Sequence, residues 1–88
     1  MATSSKATVL DVRPLMPRDR HALIFERLDA LQPDEALMLV NDHDPRPLYY
    51  QLMAERPGAF DWAPEEQGPD RWAIRITRLG ATPEATRD

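Results

Sequence analysis

The chain has 88 residues, with 15 acidic and 11 basic side chains, a net charge of −4 and no cysteine. Missing thiols exclude a disulfide framework, a thiolate zinc site, an iron–sulfur cluster and a thiol nucleophile. Arginines interleaved with acids leave no cationic stripe for nucleic acid, no apolar run approaches the roughly 20 residues of a membrane span, and Met1 to Thr8 holds no apolar signal core.

The expectation is therefore one cytoplasmic domain with neither membrane nor nucleic-acid partners. Residues 1–6 and 80–88 are small and polar and read as flexible tails around a domain at 7–79. Ala7 to Val12 reads as a strand with Leu10 and Val12 on one face and Val9 and Asp11 on the other. Pro14 and Pro17 then delay the first helix, expected over 18–31, with Ile24, Leu28 and Leu31 on its apolar stripe and Phe25 beside it. Gln32-Pro33-Asp34 ends it.

Glu35 to Val40 is apolar on both faces, as a central strand would be. A polar loop, Asn41-Asp42-His43-Asp44, leads into a second helix over about 45–56. Asp44 is its expected N-cap, and Pro45 and Pro47 fall where amides lack acceptors. Leu48, Tyr49, Leu52 and Met53 form its stripe, and Pro57-Gly58 stops it. Ala59 to Glu66 is a third strand, in which Pro64 points to a sheet edge or to an early end of pairing. Gly68-Pro69-Asp70 turns the chain into a fourth strand, Arg71 to Arg78, where Trp72, Ile74 and Ile76 alternate with polar or small residues.

This β-α-β-α-β-β order fits an α+β, two-layer α/β sandwich: a four-stranded mixed sheet with two helices on one face. If the first two strands are parallel, both strand-to-helix loops open beyond their carboxyl ends, where open α/β sheets bind ligands. That edge gathers Arg13, Met16, Arg18 and His21 from the first loop region with Asn41, Asp42, His43 and Asp44 from the second.

The stretches Leu10-Asp11-Val12-Arg13-Pro14-Leu15-Met16-Pro17-Arg18-Asp19-Arg20-His21 and Val40-Asn41-Asp42-His43-Asp44-Pro45-Arg46-Pro47-Leu48 carry a resemblance. With Ala54-Glu55-Arg56-Pro57-Gly58 and the Trp72 strand, they resemble the domain-of-unknown-function 2249 family across residues 9–78. That family is similar in fold to the small TusA/SirA-type sulfur carriers, whose first helix opens on a cysteine–proline motif. Here Met16 precedes Pro17, and a thioether cannot form the thiolate that carries a persulfide. The resemblance implies the fold without the sulfur transfer. It also implies a bacterial redox or metal context, because such domains occur beside hemerythrin-like domains in bacteria handling nitrogen oxides.

Three readings compete at the edge. His21, His43 and Asp42 are a candidate set for a divalent transition metal, since imidazole with carboxylate suits zinc, iron, nickel or copper. An aspartate that orients His43 would make a general base. Ordinary loop and cap chemistry explains Asn41, Asp42 and Asp44 without any ligand. His21 is either a pocket residue or an exposed residue of the first helical turn. Arg13 and Arg18 either bind an anion near the helix start or pair with Asp19, Asp42 or Asp44. No glycine-rich phosphate loop and no nucleophile elbow is present, so no residue is assigned to catalysis. The expectation is an accessory domain, not an enzyme. It acts through a protein partner or a second copy at its open sheet face, or through a metal or small ligand held by His21 and His43.

Overall fold

Each element forms where the spacing of apolar residues settles into a period of two or of nearly four. The computed structural model describes residues 7–80. The 1–6 tail, and all of the 80–88 tail beyond Gly80, lie outside the described residues. Strands β1 (Thr8–Asp11), β2 (Ala36–Asn41), β3 (Phe60–Gln67) and β4 (Trp72–Arg78) alternate with helices α1 (Pro17–Asp29) and α2 (Arg46–Glu55) in the expected order. The sheet order is β1-β2-β4-β3. β1 runs parallel to β2, and β4 runs antiparallel to both β2 and β3.

The boundaries move for local reasons. α1 begins at Pro17, not Arg18, because proline at the first helical position forfeits only an amide that had no acceptor. It ends two residues early. The Leu31 amide donates to Leu28 O at 3.1 Å, and Asp34 follows in the left-handed region at φ 72°. β2 extends one residue further than expected, so Asn41 is its last residue and not a loop residue. α2 begins at Arg46, with Pro45 at the cap position. Asp44 still caps it in substance, since its Oδ1 accepts the Arg46 amide at 3.0 Å.

The core fills the space between the sheet and the two helices. Leu10 and Val12 from the first strand and its exit, Leu37 and Leu39, and Ile74 and Ile76 meet Ile24, Leu28, Leu48 and Leu52. All of these are buried, as the alternation and the helical stripes require. Phe60 joins them, and Trp62 packs against the cluster. β3 is the edge strand that Pro64 foretold, and its pairing register slips between Pro64 and Glu66.

The other sheet face has no helix over it. Val9 is 64% exposed there, yet Val40 is buried. Across the sheet, Asp11, Val40, Ala73 and Glu66 stand opposite one another in turn. Asp11 pairs with Arg13, and Glu66 with Arg71. The two pairs thus stand on either side of Val40 and Ala73. The exposed apolar surface on this side is therefore narrower than the apolar run of β2 suggested.

Gly68 sits at φ 77°, and a Cβ there would come within 2.8 Å of the Trp72 ring. Gly68→Ala is expected to cost about 1–3 kcal/mol from backbone strain and crowding together. Urea unfolding checks this; an unchanged midpoint would contradict it.

Candidate functional site at the two-loop edge

The parallel pairing of β1 with β2 brings the two strand-to-helix loops to one edge. The Val12 amide donates to Val40 O at 3.0 Å, which joins their starting points. A buried arginine then binds them together. Arg20 lies on α1 four residues before Ile24 and eight before Leu28, on the stripe that faces the core. Its side chain is 7% exposed.

The Arg20 guanidinium donates into both loops. From the first loop it reaches Leu15 O at 3.0 Å and Arg13 O at 3.1 Å. From the second it reaches Asn41 Oδ1 at 2.9 Å and the two Asp42 carboxylate oxygens at 2.9 and 3.3 Å. Asn41 Oδ1 also accepts the Asp42 amide at 2.8 Å, which fixes the orientation of its side-chain amide. A planar fork with several donors suits this set of acceptors; a lysine point charge would not.

Asp42 in turn accepts from His43 Nδ1 at 2.9 Å. Arg20 first, and His43 second, hold the Asp42 carboxyl far below the ordinary carboxylate range. His21, one residue after Arg20 on α1, sends its Nδ1 to Gln51 Oε1 at 3.0 Å. The Gln51 amide nitrogen donates to Glu55 at 3.0 Å, so the oxygen of that amide faces His21. Both imidazoles therefore donate through Nδ1–H to an oxygen. In the neutral ring each then keeps its lone pair on Nε2.

A cleft of about 180 Å³ lies between them, with Ile24 and Leu48 in its wall beside Arg20, Asn41, Asp44, His21 and His43. Of the predicted residues, the structure thus brings His21, Asn41, His43 and Asp44 to one cavity. Asp42 stands outside its wall as the partner of Arg20 and His43. Arg13 and Arg18 are not in the wall either. Arg13 turns to the open sheet face, where it grips Asp11 through Nε at 2.9 Å and Nη2 at 2.6 Å. The expected partners Asp19, Asp42 and Asp44 give way to Asp11 because the side chains at 11 and 13 point the same way. Among the described residues no group of three or more His, Asp or Glu is arranged to hold a metal ion. The set His21, His43 and Asp42 is therefore not assembled as three ligands: the Asp42 oxygens are engaged by Arg20 and His43.

Arg20 is the residue that sequence reasoning missed. Its signal was present in the spacing 20, 24, 28, which continues the apolar stripe backwards onto a charged side chain.

The sequence model of the DUF2249 family, described as an uncharacterized conserved protein, matches residues 9–78. The chain belongs to the DUF2249 family. No curated protein and no solved structure matches it, so the likeness to sulfur carriers stays an expectation from the sequence. Within this DUF2249 domain, both quoted stretches fall on the two loops that Arg20 joins.

Two outcomes follow from the ion pairs. Arg20→Met strands two carbonyls, Asn41 and Asp42 around an apolar side chain, and is expected to cost about 3 kcal/mol. The Asp42 carboxyl should rise toward ordinary values in that variant; carboxyl-carbon NMR titration reads it, and an unmoved Asp42 would contradict the assignment. Asp11 is held down from 3.8 to about 2, first by its side-chain hydrogen bond from Arg13. Asp29 is likewise lowered by Arg56. Folded carboxyls with depressed pKa values stabilise fully above their unfolded values and lose that contribution as pH falls through the folded ones. Stability should therefore fall between about pH 4 and pH 2, and Arg13→Gln should remove most of the Asp11 part of that fall.

Proposed function

We propose that the chain is a non-catalytic accessory domain whose two-loop edge binds a divalent transition-metal ion, or a small ligand bearing one, through Nε2 of His21 and His43. The carrying observation is that both imidazoles border one cleft with Nδ1 anchored to an oxygen. Metal-binding histidines are commonly held in this way, by a carboxylate or carbonyl oxygen on the far ring nitrogen. Asp42 and Gln51 would be those anchors, and Asp42 orients instead of ligating. The domain supplies two nitrogens, and water, the ligand or a partner fills the remaining positions. The Nδ1 partners are a carboxylate and an amide oxygen, which position a ring but attack nothing. A redox or nitrogen-oxide role fits a two-imidazole iron or copper site in the bacterial setting that the family resemblance implies.

Stoichiometric zinc is expected to shift the ring nitrogen signals of both His21 and His43 in step, with proton release. His43→Gln should abolish the response at His21 as well. Movement of a single ring, or none, would sink the reading.

The open sheet face supports a second reading, a surface for a protein partner or for a second copy of the chain. Val9 is 64% exposed there and stands opposite Met38, which is half-buried. A dimer on this face should show twice the monomer mass by light scattering and revert with Val9→Lys. A monomer mass at every concentration would remove the second-copy form of this reading.

A further inference from the structure

We propose that a second cleft, between α2 and the β3–β4 hairpin, binds a flat aromatic molecule carrying a carboxylate. This cleft has a volume of about 300 Å³ and shares Asp44 and Pro45 with the first. It is a separate site, and nothing in its argument depends on metal at the histidines.

The chain has two tryptophans and two tyrosines. All four, Tyr49, Tyr50, Trp62 and Trp72, line this cleft. Core packing accounts for Trp62, which lies against the buried cluster, but Trp72 is not among the residues packed there. Tyr50 is 63% exposed, which leaves most of its ring free for a ligand to cover. Tyr49 meets Tyr50 and Trp62 edge-on, at 67° and 66° between ring planes. Neither contact is a parallel stack, so neither covers a ring face in the way a planar ligand would. Trp72 is a fixed wall, since Gly68 lies directly against its indole.

Charge selects the ligand further. Arg46 is the cation of the wall, and its side chain is 66% exposed. Asp44 accepts its backbone amide at 3.0 Å, and the Asp44 carboxylate lies 3.0 Å from its Nη2 as an ion pair. That occupies one side of the guanidinium fork, and the fork carries five N–H donors. A ligand carboxylate fits the remainder, as arginine favours planar oxyanions. Aromatic walls alone would also suit an organic cation. Here Arg46 opposes one, and the Asp44 charge that would attract it is already engaged.

The test uses the whole chain and three probes: nicotinate, its cationic relative 3-(aminomethyl)pyridine, and the non-aromatic cyclohexanecarboxylate. Nicotinate is expected to shift the indole N–H signals of both Trp62 and Trp72 saturably. The amine and the saturated acid should bind at least about tenfold more weakly, as should nicotinate with Arg46→Gln. Tyr50→Ala, at an exposed position, should weaken nicotinate while leaving the remaining spectrum in place. The zinc response of the histidines should be unchanged in both variants. Unmoved indole signals at millimolar nicotinate would overturn the site, and equal binding of amine and acid would overturn its ligand class.

Discussion

The guanidinium of Arg20 is taken out of water and bonded to acceptors from two loops that are far apart along the chain. Burying such a charge costs several kcal/mol, and only near-complete hydrogen bonding offsets it. Here two backbone carbonyls, the Asn41 amide oxygen and the Asp42 carboxylate provide that bonding. The requirement works in both directions. Arg20 can stay folded inward only if both loops close on it, and the loops keep their shape only while Arg20 is there. One interaction thus sets the path of the first loop, the end of β2 and the position of Asp42.

The rest of the edge follows by short steps. Asp42, fixed by Arg20, fixes His43. His21 is the next residue along α1, and it reaches Gln51 on α2, which Glu55 orients in turn. At the opposite end of the helix pair, Arg56 binds Asp29 at 2.8 and 3.0 Å and lies 5.4 Å over the Phe25 ring. Exposed pairs of this kind contribute only about 0–1 kcal/mol each. Their effect is geometric: α1 and α2 are tied at two points, His21 to Gln51 and Asp29 to Arg56. The cleft between them therefore has walls whose spacing does not depend on the apolar core alone.

Much of this fold was legible because its elements obey simple periods. Leu10 with Val12, and Ile74 with Ile76, alternate; Ile24 with Leu28, and Leu48 with Leu52, repeat every four residues. Pro64 marked the sheet edge by its missing donor. The site was harder to read because its organising residue breaks the polarity rule that located the core. Position 20 belongs to the α1 stripe, and position 41 to the inward face of β2 after Leu37 and Leu39. In both cases the period continued while the hydrophobicity stopped. A charged residue in phase with an apolar stripe, and an amide in phase with an apolar strand, were the signals of a buried polar pair. The partner of Arg13 was missed for a related reason. Residues 11 and 13 project to the same side of an extended chain, which outweighs the general abundance of acids nearby.

The slip in pairing beside Pro64 has a consequence for how the protein behaves in a crowded solution. An outer strand with a regular row of free amides and carbonyls invites another chain to continue the sheet. Along β3 that row is interrupted by a residue with no amide hydrogen and by an offset that bends the strand. At the opposite border, β1 offers only four residues. Neither border offers a long, regular template, which limits how readily another chain could extend the sheet.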